Sequence, residues 1–320
     1  MNATISGIHH VTAITAHAQR NLDFYSGVLG LRLVKLTVNF DDPGSFHLYY
    51  GDEIGRPGTI MTFFAWPGAN RGRIGPPQAT ATSFAAPEGA VEFWAQRLEE
   101  HQVRMRPSIV RFGTTVLSFA DPDGLNLEIV ATAQPRGQTR GGPVPPQHAI
   151  RGFHGVTLSE NAYEKTATLL TDVMGFRADG SEGNRFRYRA GTGESASFVE
   201  LVCLPEGRLG GVGAGVVHHV AFRTPDDDQQ QAWRSKLVEL GYNVSPVMDR
   251  KYFHSIYFRE PGGVLFEIAT DSPGFTADEA ANELGTRLML PPGLESHRPR
   301  LEERLPRLRL PDWPAAARDA

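Results

Sequence analysis

The chain has 320 residues, 40% of them hydrophobic and 21% charged, with a formal net charge of -4. That is the make-up of a globular protein long enough for two core-forming units. No apolar run approaches a membrane span, no basic stretch followed by an apolar core opens the chain, and no basic excess marks a nucleic-acid surface. A cytoplasmic protein with neither membrane nor nucleic-acid partners is therefore expected, with homo-oligomerisation left open. The single cysteine, Cys203, excludes an intrachain disulfide framework and reads as a small buried apolar side chain.

In chain order, Gly7-Ile8-His9-His10-Val11-Thr12 reads as a first strand. A helix around residues 20–29 follows and stops at Gly30, with strands expected around 31–39, 45–51 and 58–65. An amphipathic helix over 88–101, carrying Trp94, leads into a hairpin from Val116 to Ile129, whose turn is Asp121-Pro122-Asp123-Gly124. Residues 134–150, rich in proline and glycine at their start, form a linker. The pattern then begins again. A strand holds His154, a helix over 163–174 ends at Gly175, and strands are expected around 185–190 and 195–203. Gly215 to Phe222 reads as a strand, a helix over 226–240 carries Trp233, and a hairpin from Ile256 to Ile268 turns at Glu260-Pro261-Gly262-Gly263. From 272 onward the chain is a polar, proline-rich extension with a helix expected over 277–289 and a tail along the surface.

These elements make four related units of one strand, one helix and three strands, hence an α+β chain of four βαβββ modules. Modules one and two occupy 1–133, modules three and four 151–271, and the extension 272–320. A module of this kind cannot close a core alone, so modules must pair, giving two open-barrel clefts.

The pair His9-His10 returns as His218-His219, each time on an apolar run. Neighbouring side chains on a strand point to opposite faces, so one histidine of each pair can face inward. Two inward histidines are most of a metal site. Glu267, in Leu265-Phe266-Glu267-Ile268, supplies an acid where a purely structural strand would carry Val or Ile.

Three stretches, His-His-Val-Thr at 9–12, His-His-Val-Ala at 218–221 and Gly-Gly-Val-Leu-Phe-Glu at 262–267, resemble the vicinal oxygen chelate superfamily. It includes glyoxalase I, bleomycin-resistance proteins and extradiol ring-cleaving dioxygenases. Phe46-His47-Leu48-Tyr49-Tyr50-Gly51-Asp52-Glu53, Arg151-Gly152-Phe153-His154 and Asp249-Arg250-Lys251 are similar to its hydroquinone-cleaving branch. The resemblance implies that module one pairs with module four, and two with three. It also implies His10, His219 and Glu267 as the metal ligands, with Fe(II) as the cofactor and Mn(II) as the alternative. Such a set leaves about three positions open on a six-coordinate iron, enough for an aromatic diol and dioxygen.

His218 is the expected acid-base residue beside the metal, His9 its reserve, and Tyr257 resembles the family's active-site tyrosine. Thr12 shares a face with His10 and is expected at the substrate. Members of the branch carry extra residues after Asp-Arg-Lys, including a substrate-side arginine. Here Arg250 and His254 stand as candidates for that cation. The competing set joins His154, Glu200, His219 and Glu267, with Glu128 nearby, in the manner of glyoxalase I, a metal-dependent lyase or isomerase. It requires module three to pair with module four. A metal-free binding protein like the bleomycin-resistance members is the third reading.

Overall fold

The structure is a computed structural model that describes residues 5–133, 142–191 and 197–311. Residues 134–141 of the expected linker, 195 and 196 of an expected strand, and 312–320 of the extension lie outside the described residues.

Module one is β1 (Ile8–Thr15), α1 (Ala18–Leu22), β2 (Arg32–Val38), β3 (Phe46–Gly51) and β4 (Ile60–Ala65). Module two is β5 (Gln78–Pro87), α2 (Ala90–Glu100), β6 (Ile109–Arg111), β7 (Thr114–Ala120) and β8 (Asn126–Thr132). Module three is β9 (Phe153–Glu160), α3 (Glu164–Thr168), β10 (Arg177–Glu182), β11 (Arg185–Ala190) and β12 (Ser197–Cys203). Module four is β13 (Val217–Thr224), α4 (Asp227–Glu239), β14 (Met248–Asp249), β15 (Phe253–Arg259) and β16 (Leu265–Pro273).

The repeat is visible in detail. Both α1 and α3 run on into a wider, π-type stretch, Asp23–Val28 and Leu169–Val173, before Gly30 and Gly175 take left-handed φ of 70° and 81°. Trp94 on α2 and Trp233 on α4 are both fully buried, anchoring corresponding helices against the sheets.

Modules pair through their first strands. β1 runs antiparallel to β13 and β5 antiparallel to β9, so each eight-stranded sheet takes one module from each half of the chain. One sheet joins modules one and four in the order β14-β15-β16-β13-β1-β4-β3-β2, and the other joins modules two and three as β10-β11-β12-β9-β5-β8-β7-β6. Two bulges in the β1–β13 ladder flank the stretch His10 to Thr12, a place where bulges commonly re-aim side chains. No helix among the described residues is long and apolar enough to cross a membrane.

The expected helix over 277–289 is absent. A short turn at Phe275–Ala277 is followed by irregular chain held to β2 from outside, and the extension's helix, α5, comes later at Arg298–Arg304. The cause is tertiary. Buried Lys35 on β2 pairs with Asp278 and Glu279, the Met289 amide bonds the Leu36 carbonyl at 2.8 Å, and Gly285 takes a left-handed φ of 75° against the Leu33 carbonyl. Strand β10 was not legible because its residues are polar and mostly exposed. Cys203, at the end of β12, is half-buried rather than buried.

Where the two sheets meet, Glu160 at the end of β9 and Glu260 in the β15–β16 turn both lie against the Thr166 hydroxyl, at 2.7 and 2.5 Å. One hydroxyl proton serves only one of them. Burial first, and the neighbouring Glu260 second, push the Glu160 carboxyl from its ordinary 4.5 up to about 8. The folded protein thus holds a proton that the unfolded chain releases above about 4.5, so stability falls as pH rises from about 4.5 to about 8. The slope approaches ~1.4 kcal/mol per pH unit where one whole proton differs. Glu160→Gln is expected to flatten this part of the curve. Urea titrations of both proteins across that range check it, and identical slopes would contradict the assignment.

Candidate metal centre and its cavity

His10 on β1, His219 on β13 and Glu267 on β16 come together on the inner face of the first sheet, 2%, 4% and 0% exposed. His10 Nε2 and His219 Nε2 lie 3.3 Å apart, and Glu267 Oε2 lies 3.3 and 3.0 Å from them respectively. Each ring is fixed from behind. His9 Nδ1 meets His10 Nδ1 at 2.8 Å, and His218 Nδ1 meets His219 Nδ1 at 2.8 Å. If His10 and His219 donate from Nδ1 to these neighbours, both Nε2 atoms present lone pairs to the centre. Ser255 on β15 donates to Glu267 Oε1, leaving Oε2 buried without a hydrogen-bond partner.

Three acceptors therefore converge where no donor stands, which is the signature of a cation site. Donors about 2.1 Å from a common octahedral centre are about 3.0 Å apart along an edge, so the observed spacings suit three adjacent positions on one metal. The residues fit the group that the sequence implied.

The register explains why the set stops at three. Glu267 pairs with Ala221, two residues after His219, and the same place in module one, opposite Thr12, holds Thr62. With a threonine there, this place supplies no fourth carboxylate or imidazole to the cluster.

The open side faces a cavity of about 310 Å³, at the small end of small-molecule pockets. Phe40, Phe64, Trp66 and Phe253 give it aromatic walls, with the Phe64 and Trp66 rings parallel to within 4°. Thr12, His218, Arg250 and Tyr257 all line it. Arg250 Nε donates to the Tyr257 hydroxyl at 3.2 Å and its Nη1 lies 3.2 Å from Asp41. Burial, then Glu267, raises the Tyr257 pKa, so the phenol keeps its proton.

Two expected residues are not brought to the cavity. His254 follows the alternation of β15 onto the face opposite Ser255 and Tyr257, where it bonds Asp227 at 2.6 Å and lines a separate groove, so among the described residues Arg250 is the cavity's one guanidinium or ammonium group. His9 is buried behind His10 and against Phe253, bonds His10 through Nδ1, and does not line the cavity. Sequence reading also passed over His47, Tyr49, Thr62 and Asp41, of which all but Thr62 line the cavity. His47 and Tyr49, two apart on an apolar strand, were the available signal.

The second sheet carries the same register with a different outcome. Ser83 pairs with Glu128 and Thr157 with Glu200, so these glutamates occupy the places of Glu267, while Ala81 and Gly155 stand where histidines would be needed. Arg111 fills the space. It holds Glu128 through two bonds of 2.9 and 2.6 Å and reaches Glu200 at 3.2 Å, and Arg185 bonds Glu200 at 2.6 Å. Burial opposes the charge on Glu128, and Arg111 holds its carboxyl below the usual range. His154 stacks on Phe198, its pKa pushed down to about 4 by burial and then by Arg187 and Arg111. The competing set is thereby overturned: His154 and Glu200 belong to one sheet, His219 and Glu267 to the other.

Residues 7–129 and 152–268 match the model of the Glyoxalase/Bleomycin resistance protein/Dioxygenase superfamily. The chain belongs to this superfamily. It is 51% identical over 300 residues to the Bacillus subtilis (strain 168) protein named ring-cleaving dioxygenase MhqO, covering 93% of this chain and 95% of that one. It is 37% identical over 299 residues to the chlorohydroquinone/hydroquinone 1,2-dioxygenase of Sphingobium indicum, covering 91% and 93%. The crystal structure of a Bacillus subtilis protein described as a dioxygenase superposes with a TM-score of 0.92 at 49% identity, covering 97% and 99%. Glyoxalase I from Zea mays shares the fold, with a TM-score of 0.62 at 16% identity over 83% of this chain and 92% of that one.

Proposed function

We propose that the protein is an Fe(II)-dependent, extradiol-type ring-cleaving dioxygenase acting on hydroquinone or a catechol-like diol, with Mn(II) as the alternative metal. The observation that carries this reading is the convergence of His10 Nε2, His219 Nε2 and Glu267 Oε2 beside a small aromatic-walled cavity. The superfamily relatives named ring-cleaving dioxygenases support it. His10, His219 and Glu267 would hold the metal, which would supply the dioxygen activation that ring cleavage needs.

The chain's own residues do the rest. Phe64, Trp66 and Phe253 confine a planar ring and exclude water. Arg250 donates to the Tyr257 oxygen, so that contact does not use the phenol's own proton, which burial keeps in place and which can be offered to a ligand oxygen. His218 is half-buried at the cavity wall, edge-on to Phe64. With its Nδ1 accepting from His219, its own proton sits on Nε2 as a donor. Burial, followed by His219, pushes its pKa down to about 3, so the neutral donor is the resting form.

His218→Gln, whose side-chain oxygen can still accept from His219 Nδ1, is expected to keep the metal and lower turnover roughly a hundredfold, the scale for one lost donor to developing oxyanion charge. Full metal content with near-normal turnover would remove His218 from the chemistry. The reading as a whole is tested by oxygen uptake of the anaerobically Fe(II)-reconstituted protein given hydroquinone, catechol and chlorinated or methylated hydroquinones. Uptake with at least one diol is expected. No uptake with any of them would overturn it.

A further inference from the structure

One wall of the cavity carries a chain of hydrogen bonds that the metal site does not use. Tyr49 and His47 on β3, Thr62 on β4 and Thr12 on β1 are linked in that order. The Tyr49 hydroxyl lies 2.9 Å from His47 Nδ1, His47 Nε2 meets Thr62 Oγ1 at 2.5 Å, and Thr62 Oγ1 lies 3.4 Å from Thr12 Oγ1. Tyr49, Thr62 and Thr12 are adjacent across the sheet, since Tyr49 pairs with Thr62 and Thr62 with Thr12.

Counting donors gives the chain a direction. Tyr49 is buried, its ring against Phe275, and among the described residues its hydroxyl has no hydrogen-bond partner but His47. Burial raises its pKa, so it is a phenol with a proton to place. Burial, then His10 and His219, lowers the pKa of His47, so its ring is neutral, with one donor and one acceptor. Tyr49 donating to Nδ1 puts the ring proton on Nε2, and Nε2–H donates to Thr62. The Thr62 hydroxyl, having accepted, donates toward Thr12. Thr12 has then accepted, and its own proton is left for the cavity it lines.

We propose that Tyr49, His47 and Thr62 are positioning residues that polarise the Thr12 hydroxyl into a fixed donor, which receives an acceptor oxygen of the bound ring other than the one turned to His10, His219 and Glu267. The ligand half of this inference rests on the ring-cleaving reading; the direction of the relay does not. A neutral imidazole in place of a water makes the donor insensitive to which molecule enters, so the wall discriminates by what it offers. A hydroxyl in that position is satisfied, and a methyl group leaves Thr12 unpaired.

Two measurements test it. Nitrogen-15 spectra of histidine-labelled full-length protein, with the His47 signal assigned by its loss in His47→Phe, are expected to show the Nε2–H tautomer. An Nδ1–H tautomer overturns the relay. Anaerobic calorimetry on the Fe(II)-loaded protein then compares hydroquinone with 4-methylphenol, which keeps the shape but lacks the second oxygen. Tyr49→Phe and Thr62→Val are each expected to weaken hydroquinone about tenfold and to leave 4-methylphenol unchanged, the scale of one net hydrogen bond. Equal weakening of both probes, or of neither, overturns Thr12 as the oriented donor. A wild-type protein that shows the Nε2–H tautomer yet binds neither probe removes the ring-cleaving reading and the ligand half together, while the relay itself stands.

Discussion

Glu267→Gln is expected to abolish metal binding and turnover and, at the same time, to make the metal-free protein more stable than metal-free wild type. In the native site Oε2 faces two imidazole lone pairs at 3.3 and 3.0 Å with no proton between them, and it is buried. Glutamine keeps the shape and the carbonyl that accepts from Ser255, and its amide places two N–H donors where the acceptors converge. Each new bond contributes about 1 kcal/mol, so a gain of about 1–2 kcal/mol is expected. The same donors occupy the lone pairs a metal needs, and the anionic ligand is gone. Metal analysis and urea titration of the metal-free proteins check both halves. A destabilised variant that still retains stoichiometric metal would show that the three side chains are held together by something other than a cation site.

Arg111→Met is expected to do the reverse, costing about 3–5 kcal/mol of stability while leaving the metal in place. Arg111 is buried between Glu128 and Glu200, and its removal strands two buried carboxylates that keep Arg185 as a charged partner and Ser83 and Ser118 as hydroxyl donors. The triple variant that also carries Glu128→Gln and Glu200→Gln should recover much of the loss, since the stranded charges then disappear. Thermal or urea unfolding measures the stability, and metal content reads the other sheet. Loss of metal in Arg111→Met at temperatures where it remains folded would mean that the two clefts are not independent.

Much of the site could be read before the fold, because a repeated chain shows the same position more than once. The pairs His9-His10 and His218-His219 were conspicuous because they match, the family resemblance pointed to the second member of each, and Glu267 stood out as an acid on an apolar strand. The glycine stops at Gly30 and Gly175 and the tryptophans of α2 and α4 likewise marked equivalent places. What stayed hidden depends on which strands meet. Glu128 has the same sequence setting as Glu267; Arg111 reaches it within its own module through β6, β7 and β8, and the β5–β9 pairing brings Glu200 of module three to the same guanidinium. Thr62 looks like any strand threonine until the register sets it where a fourth ligand would be. His254 failed on parity: one residue before Ser255, it lies on the other face of β15. The 277–289 segment has the composition of a helix, and Lys35 with its two carboxylate partners holds it irregular instead.

The proposed function requires that both atoms of dioxygen enter the ring of a diol held in the cavity beside His10, His219 and Glu267. Turnover of Fe(II)-reconstituted protein with hydroquinone under oxygen-18 gas, followed by mass spectrometry of the product, tests it most directly. Both heavy oxygen atoms are expected in one ring-opened product, with no product from His10→Ala. A product that carries none of the label, or ring opening that survives the loss of His10, would contradict it.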